Sequence, residues 1–291
     1  MYRNRILYED DDLIVCHKPA GIATQTGRIG QADMVSELEN YLTRNLRQGS
    51  RQNESGEKCP FRRGSVSYQP RIYVVHRLDQ PVEGILVFAK RQAVAANLSA
   101  QAAGEKMEKE YLAVVCDLRG KEAADGMQRD GRWTGQMQDG GQRQSGTLKD
   151  YLLKDGKTNM SCVVPPEVKG AKKAELDYEI LSCGQSGENA AFIGNAVLGE
   201  DGNTRVDIAV ARICLHTGRH HQIRVQMSNA GMPLLGDHKY ADRESIALSE
   251  KLGIRDTALC AYRLSFFHPQ TGERLHFEIT PEGTAFRGIR F

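Results

Sequence analysis

The chain carries short apolar runs, LIVC at 13–16, IYVV at 72–75, ILVFA at 85–89 and YLAVVC at 111–116, rich in Val, Ile and aromatics. Such runs read as strands buried on both faces. Across 204–217, Val206, Ile208 and Val210 alternate with Asp207, Ala209 and Ala211, the two-residue period of a strand. AELDYEILS at 174–182 predicts another strand. ALCAYRLSFFHPQTGERLHFEIT at 258–280 predicts two more, joined by a turn bearing Pro269 and Gly272. Helical spacing is confined to three places. Met34, Val35, Leu38, Tyr41, Leu42 and Leu46 form one apolar stripe; RQAVAANLSAQAAG at 91–104 is Ala-rich and stops near Gly104; HHQIRVQMSNAG at 220–231 stops at Gly231. Between these elements lie polar stretches at 47–70, 119–147 and 184–203, expected as surface excursions from the core. Strands dominate without strict alternation with helices. The expected fold class is therefore α+β, a mixed and largely antiparallel central sheet flanked by helices and loops, in a single domain over 1–291 with its core at about 12–280.

Composition narrows the function classes. With 291 residues, 40% hydrophobic and 26% charged, the chain is neither disordered nor fibrous. No run approaches the roughly 18 apolar residues that cross a bilayer, so no membrane partner is expected. The start, MYRNRILYEDDDLIV, lacks the apolar core of a signal peptide, which places the protein in the cytoplasm or an equivalent reducing space. Seven cysteines without a C-x-x-C pair fit neither a disulfide framework nor a zinc knuckle. No long apolar stripe is left over, so a monomer is expected.

A net charge of +2 announces no partner, but its distribution does. Between Arg44 and Arg71 seven basic residues face only Glu54 and Glu57, and Arg205, Arg212, Arg219 and Arg224 lie close to His216, His220 and His221. Clustered cations of this kind suit a polyanion.

Candidate chemistry sits between the two central strands. His76, Arg77, Leu78 and Asp79 follow IYVV, and Pro81 with Gly84 marks a turn before ILVFA. This puts polar groups on a loop anchored at both ends, where Arg77 and Asp79 serve either as a structural ion pair or as reactive groups. His216, His220, His221, Asp237 and His238 invite a metal reading. Thr217 and Gly218 interrupt any helix there, and no metal is expected.

Four segments together resemble one family, the RluA-type RNA pseudouridine synthases. HRLDQPVEGILVFAK at 76–90 matches its motif HRLD-x-x-T-S-G-L-L-x-F-A-K, and KEYLAVV at 109–115 matches K-x-Y-x-A-x-V. GRHHQIRVQMSNAGMPLLGDHKY at 218–240 matches G-R-x-H-Q-I-R followed by G-x-P-x-x-G-D-x-x-Y, and DLIVCHKPAG at 12–21 matches an opening D-L-[IV]-V-x-x-K-P-A-G. Two departures stand out. Val82 and Glu83 replace the Thr and Ser that follow the aspartate, and Gln226 stands where many members have His. No segment before Asp12 matches the S4 RNA-binding domain of some relatives, so RNA affinity is expected from the catalytic domain itself.

The resemblance implies a pseudouridine synthase fold and a cofactor-free isomerisation of uridine in structured RNA, ribosomal or transfer, with no role for DNA. Uracil leaves C1′ of the ribose, turns and rejoins through C5. The implied catalytic residues are Asp79, Tyr111, which lies against the uracil, and Arg224, the partner of Asp79. A guanidinium beside a carboxylate favours its ionised form. Arg77 is implied to fill the gap left by a flipped-out uridine, since a stacked base cannot reach a buried carboxylate. His76, Lys18, Arg219 and Ile223 complete the expected RNA-binding set, with His76 contacting phosphate or supporting the loop, and Lys18 and Arg219 binding phosphate or forming the cleft wall. Two other readings stay open on sequence alone: a noncatalytic RNA-binding or ribosome-assembly protein, and a metal-dependent hydrolase.

Overall fold

A computed structural model describes residues 5–28, 30–49, 70–104, 106–118, 145–181, 194–198, 204–287 and 289. Its strands are β1 (Ile6–Glu9), β2 (Leu13–Lys18), β3 (Tyr73–Val74), β4 (Glu83–Ala89), β5 (Glu108–Asp117), β6 (Ser145–Asp155), β7 (Met160–Val164), β8 (Lys172–Leu181), β9 (Gly194–Leu198), β10 (Thr204–Leu215), β11 (Leu259–Phe267) and β12 (Arg274–Glu278). They form one sheet in the order β1-β2-β4-β11-β5-β10-β8-β6-β7, with β3 on β4, β9 on β10 and β12 on β11. Only β4 and β11 pair in parallel among the described strands, so the sheet is mixed and largely antiparallel.

Both faces are covered, which is why the central strands read as unbroken apolar runs. In β4, Leu86 and Phe88 enter one core with Met34, Val35 and Leu38 of α1 (Met34–Gly49) and with Ile223 and Met227 of α3 (Gln222–Asn229). Their neighbours Ile85 and Val87 enter another with Val94 and Leu98 of α2 (Gln92–Ala103) and with Phe266. A further cluster gathers Leu112, Val114, Val210, Tyr262 and Leu248 of α4 (Arg243–Lys251). Helix ends follow local rules: Asp33 Oδ1 accepts from Ser36 N at 2.8 Å before α1, and Asp242 Oδ1 accepts from Ser245 N at 2.7 Å before α4.

Several elements were not legible. β6 and β7 were not among the expected strands; only Leu148 and Leu152 are buried in β6 and only Ser161 in β7. α4 buries Ser245 and Ser249 beside Leu248, too weak a stripe to register. The stretch 184–203 is not wholly an excursion, since Gly194–Leu198 pairs with Thr204–Ile208 as β9 on β10. Likewise 145–147 belongs to β6 and 47–49 to α1; the rest of 47–69 and of 119–147 lies outside the described residues.

One cross-strand row links the foot of the Asp79 loop to the middle of the sheet. Lys18 pairs with Gly84, Gly84 with Ala261, Ala261 with Tyr111, Tyr111 with Ile213, Ile213 with Tyr178, and Tyr178 with Gly146. Tyr111 is thus two strands away from the residue at which that loop re-enters the sheet.

Candidate active site

The loop 75–82 leaves β3, carries Asp79 and re-enters the sheet at Glu83. Three groups clamp it. Thr24 accepts from Leu78 N at 3.1 Å and donates to Leu78 O at 3.0 Å; Gly21 N donates to Gln80 O at 2.8 Å. Lys18, 0% exposed, donates from Nζ to the carbonyls of Pro19, Ile22 and Gln80 at 2.9, 2.7 and 3.2 Å. Burial pushes this ammonium down to about 8, against the pull of Asp79 and Glu83. Lys18 therefore offers no ammonium to a phosphate. It fastens the K-P-A-G turn to the loop.

His76 is likewise committed inward. Its Nε2 accepts from Val87 N at 3.3 Å, and burial, with Lys109 adding to it, holds the ring down to about 3. A neutral imidazole serving as a backbone acceptor supports the loop and has no charge for a phosphate.

Asp79 keeps 28% of its side chain exposed, and its Oδ2 lies 3.1 Å from Nη1 of Arg224. Arg224 is only 4% exposed and uses its other edge for Asp237, with Nε to Oδ2 at 2.7 Å and Nη2 to Oδ1 at 2.6 Å. Such a forked pair fixes the guanidinium in plane and direction. Burial pulls Arg224 down, but Asp237 and Asp79 together raise it above its ordinary value. Asp237 is itself oriented, accepting from Lys239 N at 2.9 Å and Tyr240 N at 3.3 Å. The tyrosine ring of Tyr240 lies under the guanidinium at 5.2 Å, a cation–π arrangement.

Tyr111 is 6% exposed and lies in the same core cluster as Ile223, which is 4% exposed. Burial first, then the charge of Asp79, pushes the Tyr111 phenol up, so it is neutral at physiological pH. Its hydroxyl has no hydrogen-bond partner among the described residues.

The first turn of α3 is built from side chains. Gln222 Oε1 accepts from Thr217 Oγ1 at 2.8 Å and Arg219 N at 2.9 Å, and its Nε2 donates to Glu175 O at 3.1 Å. His221 then adopts φ 53, one of two non-glycine residues with positive φ among those described. Strain of that kind, about 1–3 kcal/mol, persists only where the surroundings impose it. His221 Nε2 lies 3.6 Å from Asp79 Oδ2, and its Nδ1 is 2.6 Å from the Tyr240 hydroxyl. These residues arrive from separated segments, so residue spacing carried no sign of the arrangement; the H-Q-I-R and G-D-x-x-Y motifs were the only signal.

The basic and metal readings change here. Arg212 pairs with Glu179 and Arg224 is buried, leaving Arg219 exposed, with Nε donating to Lys173 O at 2.8 Å. Arg77 is exposed and bonds Gln25 Oε1 at 3.1 Å. Much of the 44–71 segment lies outside the described residues. His216 pairs with Asp177 at 2.7 Å and His220 meets Ser161 Oγ at 2.9 Å, so the histidines take separate partners. Asp10, Asp12 and His268 do have ligand spacing, yet His268 Nδ1 already accepts from Gln270 N and Thr271 N at 3.2 Å and its Nε2 lies 2.8 Å from Asp10.

The departure at Glu83 has a structural cause. Its buried carboxylate accepts from Glu282 N at 3.1 Å and Gly283 N at 2.9 Å and lies 3.6 Å from His17 Nε2, tying the chain end to the foot of the Asp79 loop. Burial pushes the carboxyl up, and His17 with the two backbone donors more than offsets it, so it sits below its ordinary value. A depressed carboxyl contributes stability above the unfolded-state pKa, and that contribution is lost as pH falls through the folded value. Glu83→Gln is therefore expected to be less stable than wild type at neutral pH, with the difference closing in acid. Urea midpoints measured from about pH 7 to about pH 3 check this; a gap independent of pH would show that Glu83 is not the titrating group.

A half-open carboxylate gripped by a buried guanidinium, near a neutral buried phenol, has the chemistry that a nucleophile or a base requires. A sequence model described as RNA pseudouridylate synthase matches residues 12–229, and the chain belongs to that family. It is 27% identical over 274 residues to the ribosomal large subunit pseudouridine synthase C of Haemophilus influenzae, covering 94% of this chain and 64% of that protein. To the tRNA pseudouridine synthase C of Haemophilus ducreyi it is 28% identical over 271 residues, covering 93% and 88%. Among solved structures, Human RNA Pseudouridylate Synthase Domain Containing 4 superposes with a TM-score of 0.59 at 19% identity, covering 97% of this chain and 90% of that one.

Proposed function

We propose that this chain isomerises uridine to pseudouridine in ribosomal or transfer RNA, with Asp79 as the reacting carboxylate. The observation that carries this is the environment of Asp79: a buried Arg224 at 3.1 Å on one carboxylate oxygen, with the side chain still 28% exposed. Arg224 holds the carboxylate in place through Nη1. The neutral phenol of Tyr111 offers its ring to the uracil, and aromatic stacking of about 1–3 kcal/mol per base retains the detached ring while it turns. Arg77, exposed on the same loop, fills the place of the everted uridine.

In the net reaction the N1–C1′ bond breaks and a C5–C1′ bond forms, while C5 loses its proton and N1 gains one. RNA transcribed with uridine tritiated at C5 must therefore release tritium to water. Purified protein incubated with ribosomal and transfer RNA transcripts is expected to do so. Tight RNA binding without tritium release from any transcript, or from total RNA of a strain lacking the gene, would instead favour the noncatalytic reading.

Arg77, Arg219 and the exposed Lys154 and Lys239 are the cations proposed to meet phosphates; Lys154 and Lys239 both act electrostatically on His220. Each phosphate neutralised on a single strand adds about 0.7 to the log–log salt slope of binding. Arg77→Ala is expected to lower the measured slope by about that amount; an unchanged slope would place Arg77 off the RNA. We infer that the protein acts as a monomer in the cytoplasm; no described helix is long and apolar enough to cross a membrane.

A further inference from the structure

Asp79 has two oxygens, and the structure treats them differently. Both neighbouring donors, Arg224 Nη1 at 3.1 Å and His221 Nε2 at 3.6 Å, approach Oδ2. Oδ1 has no hydrogen-bond partner among the described residues. Whether His221 helps hold Oδ2 depends on which of its nitrogens carries the proton.

That choice is made away from Asp79. Ser161 N donates to the Tyr240 hydroxyl oxygen at 2.9 Å. A backbone N–H can only donate, so one acceptor site of that oxygen is taken, and the hydroxyl proton is free to be donated to its other close neighbour, His221 Nδ1 at 2.6 Å. A nitrogen that accepts is unprotonated, and a neutral imidazole has a single N–H. Donation from Tyr240 would put that N–H on Nε2, facing Asp79. His221 is neutral because burial pushes it down, with Arg224, His220 and Lys239 adding to the effect and Asp79 opposing it. His220 stacks on it at 3.7 Å, closing the outer face of the ring and keeping it from rotating.

We propose that His221 is a positioning residue: its Nε2–H, set by Ser161 and Tyr240, holds Oδ2 of Asp79 together with Arg224 and leaves Oδ1 as the oxygen that meets the nucleoside. At 3.6 Å the contact is longer than a hydrogen bond. Bound substrate tightens such contacts in active sites, and an Oδ1 drawn toward the ribose would turn Oδ2 onto the waiting N–H. The role rests on Asp79 being the reacting carboxylate, but the tautomer does not.

Two measurements separate these. In 15N-histidine-labelled protein at neutral pH, His221, assigned by its loss in His221→Gln, is expected to show an unprotonated Nδ1 and a protonated Nε2, and Tyr240→Phe is expected to abolish that preference. A protonated Nδ1 in the wild type overturns the proposal whatever the enzyme does. The second measurement is tritium release by two variants. Gln places its amide nitrogen near the position of Nε2 and keeps a donor toward Asp79, whereas Asn ends near Nδ1 but suits the left-handed backbone better. If the donor matters, His221→Gln keeps more kcat than His221→Asn, which falls about tenfold or more with RNA Kd unchanged within about twofold. The reverse order would mean that the backbone turn alone is needed, and would overturn the role. Should His221→Gln fail to fold, Tyr240→Phe reports instead, with kcat expected to fall about tenfold at unchanged Kd; an unchanged kcat there overturns the proposal. Wild-type protein that releases no tritium defeats the functional reading and leaves the tautomer result standing.

Discussion

Asp79→Asn is expected to lose tritium release by at least about 10²–10⁴-fold, the range for removing a positioned base, and to fall to background if the carboxylate bonds to the nucleoside. Folding is expected to survive. Arg224 keeps both hydrogen bonds to Asp237, at 2.7 and 2.6 Å, so neutralising residue 79 does not strand a buried cation. The thermal midpoint and RNA Kd, measured beside kcat, should therefore stay near wild type while the rate collapses. A variant within tenfold of wild type in kcat would show that Asp79 is not the reacting group. Arg224→Met would not make a clean companion, because it leaves Asp237 buried and unpaired, a loss of about 3–5 kcal/mol in stability.

Gly84→Ala carries a large expected loss of stability. Gly84 has φ +140, a region that residues with a Cβ rarely adopt, and a Cβ there would lie 2.5 Å from both Cβ and N of Ala261. Strain of about 1–3 kcal/mol joins overpacking of about 1–3 kcal/mol, because neither β4 nor β11 has room to withdraw in the middle of the sheet. A total of roughly 2–6 kcal/mol is expected in urea unfolding. Activity should fall too, since Gly84 follows the Asp79 loop and shares a cross-strand row with Tyr111. A Gly84→Ala protein of wild-type stability would mean that β4 and β11 are not this close in solution.

Gly236, the glycine of the G-D-x-x-Y motif, has φ +70, and a Cβ there would collide with the Asp256 carbonyl. It sets the approach of Asp237 to Arg224. The two motif glycines thus permit close contacts beside the site.

Asp79 and Tyr111 were proposed from motifs that adjoin apolar runs, and Arg224 from the H-Q-I-R motif of a helix. Those runs were legible for a physical reason: a strand covered on both faces has no polar position to spare. Lys18, His76 and Ile223 sit in motifs as plainly as Asp79 does, but their contacts were not legible: the ammonium meets three carbonyls, the imidazole accepts from Val87 N, and the isoleucine is buried in the core.

The order of apolar runs along this chain was enough to specify a two-faced, largely antiparallel sheet and the loop that bears Asp79, because burial of side chains is decided mainly by composition over a few neighbouring positions. Partners were decided only by the tertiary structure. Ser161 on β7 meets Tyr240 beyond α3, Tyr240 meets His221 before it, His221 faces one oxygen of Asp79, and Glu83 reaches the backbone at 282–283. Hydrogen bonds depend on distance and direction between groups far apart in sequence, and no local pattern of residues encodes either.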